Sequence, residues 1–171
     1  QIKAASPDAV TALAKAARSA NADWQAQGIE GRCAALLKFA NELEAIAPGV
    51  IKALETDTGR RAVAAQEIMG VIGNIRGWAA QAPNLMPKPD WQQGRMKPNF
   101  KHTNAYVPYQ LVGAISPWNF PATLSFIDAV PALLAGACVI VKPSEVTPRF
   151  ADAIAPAIKA AGLMRACALS W

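Results

Sequence analysis

Two short turns in this chain carry residues able to do chemistry. In ISPWNFP, Asn119 stands between Trp118 and Phe120, and Pro117 and Pro121 bracket the triplet. Proline fixes φ and restricts the residue before it, so the stretch is held nearly rigid. An asparagine amide offers two N–H donors and carries no titrating charge. Such a donor, fixed where negative charge develops, is an oxyanion hole, worth roughly 3 kcal/mol of barrier when removed. The same residues also suit a structural asparagine hydrogen-bonded inside a proline-defined turn. The residues alone leave these two readings level.

The second turn is Lys142-Pro143-Ser144-Glu145. A carboxylate at the end of the second strand of a dinucleotide fold can accept hydrogen bonds from ribose hydroxyls. Lys142 can supply a cation or donor to the same ribose or to a phosphate, and Ser144 adds a hydroxyl. The plainer alternative makes Glu145 a helix cap and Lys142 a solvated surface charge. No GxGxxG stands at the first turn, so an ordinary Rossmann phosphate loop is excluded. Cys33, Cys138 and Cys167 are odd in number and have no CxxC spacing. That argues against a disulfide framework or a zinc site and favours a reducing cytoplasm. Cys33 falls on a predicted helix and Cys138 in a predicted buried strand, where a thiol is inert. Cys167 lies in a tail with nothing nearby to stabilise a thiolate. His102 falls in a loop-like region and is expected to be solvated.

These turns need elements to hold them. Ser6-Pro7-Asp8 is a helix-start signal, and Val10, Leu13 and Ala17 continue it at helical spacing to about Trp24. A second helix runs from about Glu30 through Leu36 and Leu43. Pro48-Gly49 is expected to interrupt it before the pattern resumes at Ile51, and Gly59 is a plausible C-cap. A third helix covers about Arg61 to Ala80. The Pro- and Asn-rich stretch up to Phe100 reads as loop, and Lys101 to Ser116 becomes β-like, with Tyr106, Val107, Tyr109, Val112 and Ile115. Then follow a strand (Val112 to Ile115), a helix (about Phe120 to Leu134), a strand (Cys138 to Val141) and a helix (Pro148 to Ala161). This alternation predicts a βαβα unit with a parallel sheet. The continuous apolar run CVIV suits a strand buried on both faces. Gly136 and Gly162 sit where C-caps are expected.

The chain has 171 residues, 53% of them hydrophobic, and a net charge of +5. Its mean hydropathy is +0.16. The size suits one ordinary domain. Asp128, Pro131 and Gly136 break the richest apolar segment, so a buried core is expected rather than a membrane span. Lys and Arg are scattered without a cluster, so no nucleic-acid partner is expected. No signal-peptide pattern opens the chain. It begins with Gln1 rather than methionine, so an earlier start is expected.

The stretch VPYQLVGAISPWNFPATLSFIDAVPALLAGACVIVKPSEVTP resembles the aldehyde dehydrogenase superfamily, whose members pair an ISPWNFP turn with a KPSE turn at this separation. Upstream, RCAALLKFANELEA and ETDTGR resemble the family's N-terminal helices, and the likeness runs to about Leu163. The resemblance implies an α/β fold: N-terminal helices (1–94), the start of an oligomerisation β-arm (95–111) and the first βαβα unit of a Rossmann-like NAD(P)-binding domain (112–163). It implies that Asn119 holds the aldehyde oxygen and the later thiohemiacetal oxyanion. Ile115, Ser116, Pro117 and Trp118 would line the cofactor cleft, and Lys142, Ser144 and Glu145 would contact the adenosine ribose. A glutamate at 145 leans toward NAD, with NADP possible. The implied partners are an aldehyde and, through the arm, further copies of the chain.

The family's catalytic cysteine, glutamate base and glycine-rich pyrophosphate site match nothing in these residues. The isolated chain is therefore expected to be an inactive, truncated N-terminal part of the enzyme. The tail MRACALSW (164–171) shows no clear strand pattern, and a frameshift or truncation is the expected cause. A sheet cut after two strands would leave an open edge and make the chain unstable or associated when alone. A non-catalytic interaction module and a weak nucleotide binder are the alternatives.

Overall fold

The computed structural model describes residues 4–170. Three long helices come first: α1 (Pro7–Ala26), α2 (Gly28–Thr58) and α3 (Arg61–Leu85). Ser6 caps α1, its Oγ accepting the Ala9 N–H at 3.2 Å, with Pro7 in the first turn. Gly59, at φ 69°, ends α2 in the left-handed conformation that glycine adopts without steric cost. Contrary to the expected interruption, α2 runs unbroken through Pro48. Proline removes one helical donor and crowds the preceding turn, at a cost of about 3 kcal/mol. Burial on either side, of Leu43, Ala47, Val50 and Leu54, offsets it. α3 likewise continues past Ala80, through Pro83, to Leu85.

Between helices and sheet lies a two-residue hairpin, β1 (Gln92–Gln93) antiparallel to β2 (Lys101–His102). His102 therefore sits on an exposed strand. Tyr106, Val107 and Tyr109 fall outside strands and are exposed, so the β-like run from Lys101 forms strand only at its two ends, in β2 and again from Leu111.

The remaining elements are β3 (Leu111–Ile115), α4 (Pro121–Ala135), β4 (Cys138–Lys142), α5 (Arg149–Ala160) and β5 (Cys167–Leu169). The three strands form one parallel sheet in the order β3-β4-β5. The tail expected to lack a strand thus supplies one, and the sheet has three strands rather than two. Val139 pairs with Cys167 and Val141 with Leu169, while Ser170 N donates to Val141 O at 2.9 Å. Trp171, the last residue of that tail, lies outside the described residues.

One core joins the five helices and the three-stranded sheet. Phe39 of α2 meets Phe126 of α4 with ring centroids 5.5 Å apart. A tilted aromatic pair of this kind adds about 1 kcal/mol beyond its area. The C-terminal end of α4 is fastened from the first two helices. Asn21 Nδ2 donates to Gly136 O (2.8 Å), Trp24 Nε1 to Leu133 O (2.9 Å) and Arg32 Nε to Leu134 O (2.9 Å). The accepting groups lie at the helix end, where carbonyls lack partners within the helix, and Leu133 O also accepts from Gly136 N at 3.0 Å. Gly136 follows at φ 109°, where a side chain would be strained and its Cβ would press on Pro108 at 3.2 Å.

Candidate functional site

Parallel strands end on the same side of a sheet, and here their ends bring the two turns together. Ile115 is in register with Lys142, and Ser116 N donates to Lys142 O at 2.9 Å, extending the ladder by one bond. ISPWNFP leaves the end of β3, and KPSE leaves the end of β4 beside it. A cross-link joins them: Thr147, buried, donates from Oγ1 to Trp118 O at 3.1 Å.

Within the first turn, buried Ser116 donates from Oγ to Pro121 O at 2.9 Å, closing the loop across its base. Pro117, Trp118, Asn119 and Phe120 are exposed, and so is Ile115. The Asn119 carbonyl accepts a hydrogen bond from the Arg60 guanidinium, which also lies 4.9 Å above the Phe120 ring. Among the described residues nothing hydrogen-bonds the Asn119 side-chain amide, so its donors are not consumed by the turn.

Ser144 is buried and its Oγ accepts the Val146 N–H at 3.2 Å, so this hydroxyl shapes its own turn. Lys142 Nζ lies 2.6 Å from Glu145 Oε2. Hydrogen bonding to that ammonium holds the Glu145 carboxyl below the usual carboxylate range. Glu145 makes a charge pair with Lys142 rather than capping α5, and its side chain is 80% exposed. A carboxylate and an ammonium side by side on an open turn suit the hydroxyls of a ribose.

The pyrophosphate is a different matter. Helix N-termini attract phosphate through unpaired N–H groups, but at α4 these are taken. Pro121 has no N–H. Ala122 N and Thr123 N donate to Glu67 Oε1 at 2.8 and 3.0 Å, and Leu124 N donates to Phe120 O at 2.9 Å. At α5, Asp57 Oδ2 accepts the Arg149 N–H at 2.8 Å and its other oxygen pairs with the Arg149 guanidinium. The residues present suit a ribose and do not offer the α4 end to a pyrophosphate. Glu67, Asp57 and Arg60 were invisible as site residues in the sequence. They act across 55, 92 and 59 positions, and no local pattern records such pairings.

All three cysteines are free and buried. Burial raises the thiols of Cys33 and Cys138, and pushes that of Cys167 up to about 12. None supplies a thiolate at neutral pH. Hollows of about 540 and 360 Å³ open against the β1–β2 hairpin, lined by residues such as Gln92, Phe100 and His102 rather than by either turn. No described helix is long and apolar enough to cross a membrane.

Comparison with known proteins bears on this arrangement. A family model described as "Aldehyde dehydrogenase family" matches residues 1–166. A Mycolicibacterium smegmatis protein, provisionally named a succinate-semialdehyde dehydrogenase (NADP(+)), is 36% identical over 92% of this chain, which spans 30% of that relative. A solved structure of a provisionally named aldehyde dehydrogenase PutA from Anabaena variabilis aligns over 99% of this chain and 36% of its own, with a TM-score of 0.92 and 36% identity. An aldehyde dehydrogenase from Brucella melitensis biovar abortus aligns over 98% of this chain and 35% of its own, with a TM-score of 0.88 and 25% identity. The chain thus spans about a third of the length of these three proteins. The paired turns, the helices that brace them and a match over nearly every residue agree: the chain belongs to the aldehyde dehydrogenase family.

Proposed function

We propose that this chain supplies half of an oxyanion hole and the adenosine-ribose contacts of an NAD(P)-dependent aldehyde dehydrogenase. The parent reaction is oxidation of an aldehyde to a carboxylic acid through a cysteine thiohemiacetal. The supporting observation is the cross-linked pair of turns at the carboxyl ends of β3 and β4, tied by Thr147 to Trp118. Asn119 donates to the aldehyde oxygen and stabilises it as it becomes an oxyanion. Ile115, Ser116, Pro117 and Trp118 line the cofactor cleft. Lys142, Ser144 and Glu145 form the ribose contact, Ser144 by holding the turn. When bound, the nicotinamide supplies the hydride acceptor. The nucleophile lies outside this chain, since its three thiols are buried, and the chain alone is inactive.

Glu145 opposes a 2′-phosphate while Lys142, its partner at 2.6 Å, attracts one. This balance suits NAD and tolerates NADP, the cofactor in the M. smegmatis relative's name. That name makes succinate semialdehyde the first aldehyde to try. Exposed Trp91, Met96, Phe100, Tyr106, Val107 and Tyr109 around the hairpin favour association with further copies of the chain. We place the protein in the cytoplasm.

Calorimetric titration with NAD+ and NADP+ tests the proposal, alongside an absorbance assay for reduced nicotinamide with succinate semialdehyde. Weak binding without turnover is expected. Glu145→Gln should shift preference toward NADP+ roughly fivefold by removing one like charge near the 2′-phosphate. Absence of binding, or a Glu145→Gln variant with unchanged preference, would contradict the ribose contact. Turnover would contradict the missing nucleophile.

A further inference from the structure

We propose that Glu67 is a positioning residue for Asn119, setting the exit of the ISPWNFP turn while Arg60 grips the turn at Asn119 itself. The inference rests on reading that turn as an oxyanion donor, and it assigns the donor's geometry to α3. The two prolines do not complete the job. Proline fixes φ, yet Phe120 holds φ −140° and ψ 68°, outside the extended values that a following proline favours. Something else sets this bend. Phe120 is the N-cap of α4 and has no side-chain acceptor to cap with. The acceptor comes instead from α3, where one oxygen of Glu67 takes the N–H groups of both Ala122 and Thr123. Glu67 is 5% exposed, so water does not compete for those bonds.

Arg60 stands at the start of the same helix. It donates to the Asn119 carbonyl and covers the Phe120 ring. Residues 119, 120, 122 and 123 are therefore gripped from one helix, with Pro121 rigid between them. Arg60 is also the charge that favours Glu67 as a carboxylate, against desolvation, which raises its pKa. An oxyanion donor must be fixed before the reaction, and a displacement of about 1 Å is enough to lose much of its effect.

The test follows Asn119 directly, by NMR of the isotope-labelled chain. In the wild type the two side-chain amide protons of Asn119 should give a resolved, structured pair. Glu67→Ala should collapse that pair toward the signals of a mobile asparagine and speed amide exchange at Ala122 and Thr123 by about tenfold. Amides of the buried Phe39 and Leu43 should not change. Glu67→Gln keeps an acceptor oxygen at the same reach and should restore the Asn119 signals. In the wild type, Ala122, Thr123 and Asn119 should shift together as Glu67 titrates above the ordinary carboxylate range, and Glu67→Gln should abolish that shared movement. If Glu67→Ala does not fold, the titration and Glu67→Gln decide. The inference is overturned if Asn119 is unmoved in Glu67→Ala, or if Ala122 and Thr123 titrate while Asn119 does not follow. NAD+ added to the wild type separates the two ideas: an Asn119 signal that obeys Glu67 but ignores NAD+ would sink the cofactor reading and leave the positioning role standing.

Discussion

Replacing Thr147 by valine removes one hydroxyl from the bridge between the two turns and changes little else in size. Its Oγ1 donates to Trp118 O at 3.1 Å, and Thr147 is only 2% exposed. A hydrogen bond of this kind contributes about 1 kcal/mol net. Trp118 is 59% exposed, so its carbonyl can recover water as a partner, and the full cost of an orphaned acceptor does not apply. In a chain of this length, about 1 kcal/mol lowers Tm by about 2–4 °C. If the bridge aligns the turns for one ligand, the same energy reappears as weaker NAD+ binding, up to about fivefold in Kd. Thr56→Val is the control: its hydroxyl also donates to a carbonyl, Lys52 O at 2.7 Å, but on an exposed face of α2. Differential scanning calorimetry and calorimetric titration on the wild type and both variants give the comparison. Thr147→Val should melt lower and bind more weakly, and Thr56→Val should bind NAD+ as the wild type does. A Thr147→Val chain that melts lower but binds normally would refute the idea that the turns act as one unit.

Two further outcomes follow from the buried carboxylates. Asp57→Ala removes the acceptor at the start of α5 and should cost about 1–2 kcal/mol, a Tm fall of about 2–8 °C. The ion pair adds little, because the Arg149 side chain is 60% exposed. Asp57→Asn keeps an acceptor and should lose visibly less, and equal losses in the two variants would contradict the capping role. Burial raises the pKa of Glu67 above its unfolded value. The stability it contributes is therefore fully present below the unfolded pKa and is lost as pH rises through the folded one. Urea unfolding at about pH 4 and about pH 8 should show Glu67→Gln gaining on the wild type at the higher pH, and a variant that holds level or loses ground there would contradict the sign.

Local signals carried much of the fold. Pro7 behind Ser6, Gly59 after α2 and Gly136 after α4 each mark a boundary because the conformation there has few alternatives. The continuous apolar run from Cys138 marks a strand buried between layers. The misses have physical causes too. Pro48 punctuates a sequence, but an unbroken buried stripe on both sides outweighs one missing hydrogen bond. Cys167–Leu169 has neither alternation nor length, and becomes a strand because β4 offers it an open edge. Tyr106, Val107 and Tyr109 have strand-forming side chains but find no partner strand among the described residues. At the site, the ISPWNFP and KPSE turns were legible as turns because prolines mark each of them. Glu67, Asp57 and Arg60 carried no such mark, because their partners lie 55 to 92 residues away.

The most direct test of the shared nucleotide crevice is the NMR footprint of NAD+ on the labelled chain, read at every backbone amide through the titration. Signals from Ser116, Trp118 and Asn119 should move with those from Lys142, Ser144 and Glu145, along one saturation curve with a single Kd. Movement confined to one turn, or centred on the Gln92–His102 hairpin with both turns silent, would contradict it.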